Sequence, residues 1–465
     1  MSEQYPGGWL TKTPPTPSGP YYNSTAPGIW TMTQQAQLTV QGIWPTAGNN
    51  PPIYWIMTIA PPVAGGYTTI NSQQNCVNTD SSGNFYPSFQ GSPAAGPYAA
   101  SWNISKIDIN GNLIFTKSYY WGAPDTGSLY NATADSSGNL FTHGYTSTSL
   151  APGFYGKFNS SGVAQWNFET NSAGLPITNF AGTDSSSNLY FTGQNASGHG
   201  VWIKTNSLGV IQATSAVLSS RPYAYLQYGS VNSSGVFIGA GSTIYEGILV
   251  RLNASGAVTY FTSLGTGYGG GVISAAVDPT YAYIYAVAYA PSVYTWALWK
   301  VDASNGTTVA WSKYTSDLLY YYGFVNCDSS GNVYCFSKPS SPTNVVAIIK
   351  FNSSGTLQWQ RDLTFTGATL APTAIAIDNT NSAFLVTIAQ NSTPNRTVII
   401  RLPLDGSQTG TYGSWTYYAS SYTFNNTATG TWAGAANSAG TGPTSLTSTP
   451  TIAATTFVST TSKIA

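Results

Sequence analysis

The residues of this chain that could do chemistry are few. His143 and His199 are the only histidines in 465 residues, and a general acid or base working near neutral pH is most often a histidine. Each sits beside glycine in a stretch that reads as hairpin or loop, so both are expected to be polar surface residues. Of the 15 acidic residues, nine fall in turns: Asp80, Asp108, Asp135, Asp184, Asp278, Asp302, Asp328, Asp378 and Asp405. The others, Glu3, Asp125, Glu169, Glu246, Asp317 and Asp362, form no close sequence pair of the kind a glycosidase uses. Cys76, Cys327 and Cys335 are too few for a disulfide framework and lack metal-ligand spacing; Cys327 and Cys335 flank one turn and read as small apolar strand residues. A calcium cage needs several carboxylates together, whereas each DSSGN turn supplies one. The glycine-rich GTGYGGG (265–271) lacks the Lys and Ser/Thr of a phosphate loop and precedes a strand. The sequons, such as those at Asn159 and Asn352, follow from turn composition. The expectation is a chain with no catalytic, cofactor-binding or metal-binding residues, and not an enzyme.

Composition points the same way. Lys+Arg and Asp+Glu both total 15, so the net charge is zero and only 6% of residues are charged. Nucleic acid needs a basic footprint, and none is present. A polar but uncharged surface lacks the repulsion that keeps proteins apart in solution, which suits permanent packing in an assembly. No run of 18 apolar residues suggests a membrane span, and MSEQYPGGWLTK lacks the basic start and apolar run of a signal peptide.

The elements that must position these residues repeat. A turn Asp recurs at 80, 135, 184, 278, 328 and 378, with Asn232 standing in between, at spacings of 55, 49, 48, 46, 50 and 50. A basic residue closes a short apolar strand at Lys106, Lys157, Lys204, Arg251, Lys300, Lys350 and Arg401, at spacings of 51, 47, 47, 49, 50 and 51. Both registers give seven units of about fifty residues. Each unit holds four strand-like runs, as in YGFVNC, NVYCFS, NVVAIIKF and TLQWQRDL, separated by Ser-Gly or Asn-Gly turns. Asp before Ser-Ser-Gly-Asn suits a bulged hairpin: the carboxylate accepts from the turn amides while Gly takes positive φ. Four antiparallel strands repeated radially are a propeller blade. The fold expected is all-β: a seven-bladed β-propeller over 53–410, an N-terminal attachment arm over 1–52 with one short helix, and a C-terminal extended Ser/Thr-rich tail over 411–465. Two finer expectations follow. IYWIMTIAP (53–61) should complete the seventh blade beside 395–402, and Asp135–Lys157, Asp184–Lys204 and Asp328–Lys350 should lie within ion-pair or one-water reach.

DSSGNLFTHGYTS followed by YGKFNSSGVAQWNF resembles the bacterial β-propeller repeat whose units read Asp-Ser-Ser-Gly-Asn-apolar-Tyr and then Lys-apolar-Asn-x-x-Gly, and the resemblance covers about 67–410. It implies the fold, since propellers host enzymes, lectins and scaffolds alike. Within the arm, NSTAPGIWTMTQQAQLTVQGIWP (23–45) carries a capping box at Thr31 and Gln34 and a stop at Gly42. It is similar to a segment common in virion structural proteins of tailed bacteriophages, whose chains also share Ser/Thr-rich endings. That resemblance implies a virion protein, of a tail fibre, a tail appendage or the capsid exterior, whose partners are other virion proteins or copies of itself. Trp9, Trp30 and Trp44 are candidates for a partner-binding arm, because large aromatics on a segment too polar to form a core need cover. Tyr119, Tyr120, Trp121, Tyr223, Tyr225, Tyr320 and Tyr321 read as loops joining a fourth strand to the next first strand, a receptor face for a host-surface glycan or protein. The alternative is a secreted bacterial adhesin or lectin-like propeller, and a propeller hydrolase would need acids converging at a central channel.

Overall fold

A computed structural model describes residues 2–5, 8–11, 55–60, 67–69, 79–92, 101–120, 127–135, 137–146, 153–170, 177–194, 199–216, 225–243, 246–264, 271–290, 295–378, 383–391, 396–426, 432–434, 445–447, 451–454 and 458–463. The chain divides into two compact units, Met1–Ile53 and Tyr54–Ala465. In the first, β1 (Ser2–Tyr5) and β2 (Gly8–Thr11) form an antiparallel hairpin, which the composition of the arm does not announce. The short helix expected after Thr31 lies outside the described residues.

The second unit is all-β; among its described residues there is no helix. It begins with β3 (Trp55–Ala60) and continues as seven antiparallel sheets. Sheet 1 takes β4 (Tyr67–Thr69), β5 (Ser88–Ser92), β6 (Ser101–Ile107) and β7 (Leu113–Tyr120). Sheet 2 takes β8 (Gly127–Ala134), β9 (Leu140–Thr146), β10 (Gly153–Phe158) and β11 (Ala164–Thr170). Sheet 3 takes β12 (Ile177–Thr183), β13 (Leu189–Gln194), β14 (Gly200–Thr205) and β15 (Ile211–Ala216). Sheet 4 takes β16 (Tyr225–Val231), β17 (Phe237–Ser242), β18 (Gly247–Leu252) and β19 (Val258–Leu264). Sheet 5 takes β20 (Val272–Val277), β21 (Tyr283–Ala290), β22 (Thr295–Asp302) and β23 (Val309–Thr315). Sheet 6 takes β24 (Leu318–Cys327), β25 (Val333–Pro339), β26 (Val345–Phe351) and β27 (Leu357–Phe365). Sheet 7 takes β28 (Thr369–Ile377), β29 (Ala383–Asn391) and β30 (Arg396–Pro403), and its fourth strand is β3, with Ile56 opposite Ile400 and Thr58 opposite Val398. The expected pairing of 53–61 is therefore present, and strand β4 of sheet 1 touches both β3 and β30 of sheet 7.

The turns follow from local chemistry. At Asp80 one carboxylate oxygen accepts from the amides of Ser82 and Asn84, both at 2.9 Å, and the other from Asn84 Nδ2 and the Tyr86 hydroxyl, both at 2.8 Å. Asp184 and Asp328 repeat all four bonds. The turn between third and fourth strands uses Asn the same way: Asn159 Oδ1 accepts from Ser161 and Val163, and Asn352 from Ser354 and Thr356. A short side chain that mimics a backbone acceptor fixes a turn without tertiary help.

Residues 411–465 are not a free tail where they are described. Beyond β30 the chain adds strands to the outer edges of the sheets. β31 (Gly410–Tyr412) and β32 (Trp415–Ala419) extend sheet 6 beyond β27. Asn425 bridges to Tyr314 of sheet 5, and β33 (Trp432–Gly434) pairs with β19 of sheet 4. β34 (Ser445–Thr447) pairs with β11 of sheet 2, β35 (Thr451–Ala454) with β7 of sheet 1, and β36 (Val458–Lys463) with β3 of sheet 7. The order 6, 5, 4, 2, 1, 7 makes this segment a belt laid along the outer strands against the direction of the chain, covering edges that would otherwise offer unpaired backbone groups.

The core lies between neighbouring sheets. Sheets 6 and 7 share a cluster that includes Phe336, Ile348, Ile375, Val386 and Ile400, and sheets 4 and 5 share one around Ile238, Leu249, Ala286 and Trp299.

Candidate interaction surfaces

The Asp, Tyr and basic residues that recur in the sequence meet in space, but as a structural unit. In sheets 1 to 6 the pairing of third and fourth strands shifts register directly after the basic residue, at Lys106, Lys157, Lys204, Arg251, Lys300 and Lys350. A bulge re-aims the side chain it carries. The ammonium groups of Lys106, Lys157, Lys204 and Lys350 lie 5.4, 5.6, 5.4 and 5.0 Å from the ring centroids of Tyr86, Phe141, Tyr190 and Tyr334. Several basic residues then reach into the next sheet. Lys106 donates to Ser160 O (3.4 Å), Lys204 to Ala254 O (3.4 Å), Arg251 to Ala303 O (2.9 Å), Lys300 to Ser353 O (2.9 Å) and Lys350 to Leu404 O (3.2 Å).

This revises the expected ion pairs. Asp184–Lys204 forms at 3.8 Å, and Arg401–Asp378 forms at 2.6 Å inside sheet 7. Lys350 places its ammonium over the Tyr334 ring and on the neighbouring turn, with Asp328 close enough to act on its charge but with no direct ion pair. Burial would raise the Asp184 carboxyl, but hydrogen bonds from Asn188, Tyr190 and Ser186 outweigh it and hold the group below the ordinary carboxylate range. Burial, then the bond to Asp184, pushes the Tyr190 hydroxyl up. Burial lowers Lys300 and Lys350 despite nearby aspartates. The aspartates of the unit are spent on their own turns, and five of its basic residues on carbonyls of the next sheet.

A second recurring contact joins the sheets. Each turn that follows a third strand carries a glycine at positive φ, and the position of its missing side chain is filled by an aromatic ring of the preceding sheet. Gly111 sits under Trp55, Gly162 under Phe115, Gly209 under Phe168, Gly256 under Trp202, Gly306 under Tyr260, Gly355 under Trp311 and Gly406 under Trp359. Three indole N–H groups donate to the same turns: Trp55 to Ile109 O, Trp166 to Ser207 O and Trp311 to Ser353 O.

The aromatic residues singled out from sequence fall at strand ends. Tyr119 and Tyr120 close β7, where they pair with Ile452 and Thr451 of the belt rather than standing in a loop. Tyr225 opens β16, and Tyr320 and Tyr321 belong to β24 in the stretch where its register shifts between Leu318 and Gly323. Strand pairing extends further into these connections than turn composition suggests. Trp121 and Tyr223 lie outside the described residues, as do Trp30 and Trp44; Trp9 is in β2 opposite Gln4. His143 is a correction: it is fully buried in β9, between Asn131 and Tyr155 on the flanking strands, because both faces of a second strand are covered by neighbouring sheets. Cys327 is half-buried and Cys335 buried; burial, then the nearby Asp278 and Asp328, pushes the Cys327 thiol up to about 12, the setting of an inert thiol. Among the described residues no three His, Cys, Asp or Glu side chains group as metal ligands, and no helix is long and apolar enough to cross a membrane.

Sequence reasoning missed the docking surface of the belt. Trp415 packs on Phe365 with centroids 4.8 Å apart, Phe424 on Phe351 at 5.2 Å, and Trp432 edge-on to Trp299 at 6.4 Å. The Tyr422 hydroxyl donates to Asp362 at 2.6 Å, its amide to Gln360 at 2.9 Å, and the Thr423 amide to Asp317 at 2.9 Å. Burial raises the Asp362 carboxyl, although bonds from Tyr422, Ser420 and Tyr418 pull it back. Tryptophans in a Ser/Thr-rich stretch were the available signal.

No protein-family model matches the chain, and no curated protein matches it. Solved structures similar to it include a chain of the mitotic checkpoint complex (10% identity, TM-score 0.48, covering 76% of this chain and 96% of that one). U3-55K is similar at 11% identity and TM-score 0.48, covering 74% and 100%. A neuraminidase-like protein of the A/little yellow-shouldered bat/Guatemala strain is similar at 10% identity and TM-score 0.40, covering 75% and 97%. At these scores the likenesses support no argument about activity or partner.

Proposed function

We propose that the seven sheets close into a seven-bladed propeller and that the protein is a structural component of a tailed-phage virion, in a tail fibre, a tail appendage or the capsid exterior, rather than an enzyme. The observation that carries the reading is the aromatic-on-glycine contact, which recurs from each sheet to the next and again from sheet 7 to sheet 1 through Trp55 and Gly111. Seven like interfaces, with the outer edges of six of the seven sheets met by the C-terminal segment, suit a rigid scaffold. Its chemistry-bearing residues hold turns and sheet interfaces together, and its surface is nearly without charge. The phage assignment is supported by the resemblance of 23–45 and of the Ser/Thr-rich ending, and by the separation of Met1–Ile53 as its own unit.

In this reading Trp9, Trp30 and Trp44 contact other virion proteins or further copies, and the aromatic strand ends near Tyr119, Tyr225 and Tyr320 border a receptor-facing rim. Deleting residues 1–50 should leave a folded propeller that no longer enters particles. Normal incorporation of the truncated chain would defeat the anchor role. The adhesin reading draws on the same tyrosines, and binding of the isolated 54–465 unit to host-surface glycans, lost on Tyr119→Ala and Tyr320→Ala, would favour it.

A further inference from the structure

The belt has two halves of different character. From Gly410 to Gly434 it is anchored by buried aromatics: Trp415 and Trp432 are 5% and 3% exposed, and Tyr422 and Phe424 add the contacts described above. From Ser445 to Lys463 the strands read SLT, TIAA and VSTTSK, with no aromatic residue, and their ladders run over three, four and six residue pairs. Ladders this short hold weakly one by one. The two halves are separated by AANSAGTGPT (435–444), ten residues with no large apolar side chain.

We propose that the distal belt, residues 445–463, exchanges between copies of this chain, so that the outer strands β11, β7 and β3 of one copy are covered by β34, β35 and β36 of another. The occupant is fixed by the contacts already present: an exchanged segment makes the same ladders in the same register, so the two arrangements differ mainly in which chain supplies the strands. The belt lies on outer edges, so exchange needs no opening of the sheets, and a chain with no net charge does not repel its copies. The anchored half keeps each belt attached to its own sheets 6, 5 and 4. The proposal goes beyond the virion reading and does not depend on it.

The test uses residues opposed across the outermost ladders. Thr58 faces Thr460 in sheet 7, and Ser118 faces Ala453 in sheet 1; directly opposed residues are within disulfide range once both are cysteine. In a full chain carrying Cys76→Ser, Thr58→Cys and Thr460→Cys are placed in separate proteins, which are co-expressed, purified and oxidised. Exchange predicts a disulfide-linked dimer of one chain of each kind, at least about tenfold above the background of either variant alone, and linked dimers from the double variant. Only internal links in the double variant, with no mixed dimer, would overturn the proposal, and so would the absence of any cross-link. The Ser118→Cys and Ala453→Cys pair repeats the test should the first pair disturb folding, judged by far-ultraviolet circular dichroism and gel filtration. A chain that exchanges its belt yet is absent from particles would fail the virion reading alone.

Discussion

Ser187 shows how far a single residue departs from its repeat. In TDSSSN it stands where four other units place glycine (Gly83, Gly138, Gly235 and Gly331), and it takes the left-handed backbone at φ 61° on an exposed turn. Non-glycine residues pay for that conformation with roughly 1–2 kcal/mol. Ser187→Gly should therefore stabilise the protein by about 1 kcal/mol in urea unfolding, and an unchanged midpoint would show that the strain is relieved locally. Gly355 is the converse: at φ 80° it sits under Trp311, whose ring a Cβ would meet at 2.8 Å. Gly355→Ala should cost about 2–4 kcal/mol by combined strain and overpacking, whereas Gly413, at φ 65° with open space around it, should lose only the strain. Two acids give opposite pH dependences. The folded Asp184 carboxyl is lowered, so its contribution is present above the ordinary carboxylate range and is lost as pH falls through the lowered value. The folded Asp362 carboxyl is raised, so its contribution is full below that range and is lost as pH rises through the raised value. Asp184→Asn should flatten the acid side of the stability profile and Asp362→Asn the side above it; denaturant midpoints across acid and neutral pH check both.

Among the elements, those that could be read from sequence are those whose cause is local. The Asp and Asn turns announce themselves because the side chain that fixes each turn lies within it, and the fifty-residue spacing turns one turn into a repeated sheet. Strand β3 was legible for a related reason: its pattern matches a fourth strand although it precedes the first sheet. The reach of the basic residues into the next sheet was not legible, because Lys204 and Lys350 carry the same bulge and both donate to a turn of the neighbouring sheet, a contact with a residue some fifty positions away. His143 was misjudged because its glycine neighbour says nothing of the sheet packed on each side. The belt was hardest, since short Ser/Thr-rich strands carry no information about which edge they join. Its hold is testable at Trp432, which is buried against Trp299. Trp432→Ala should remove about 3–5 kcal/mol from that attachment, and limited proteolysis should then release the C-terminal region while the sheets stay resistant. Global unfolding in step with cleavage would mean that the belt and the sheets form one cooperative element.

On the scale of the whole molecule, the division at Ile53 and Tyr54 sets the expected attachment unit directly before β3. That strand lies between β30 and β36, paired along five residues on one side and six on the other. If the N-terminal unit is held by a particle while the sheets are held elsewhere, tension enters along β3. Antiparallel hydrogen bonds run across the strand direction, so a lengthwise pull loads both ladders in shear and their bonds must give way together instead of unzipping singly. Under such a load β3 resists through both ladders, and the C-terminal strand β36, by flanking β3 on the side away from β30, adds six residue pairs to its resistance.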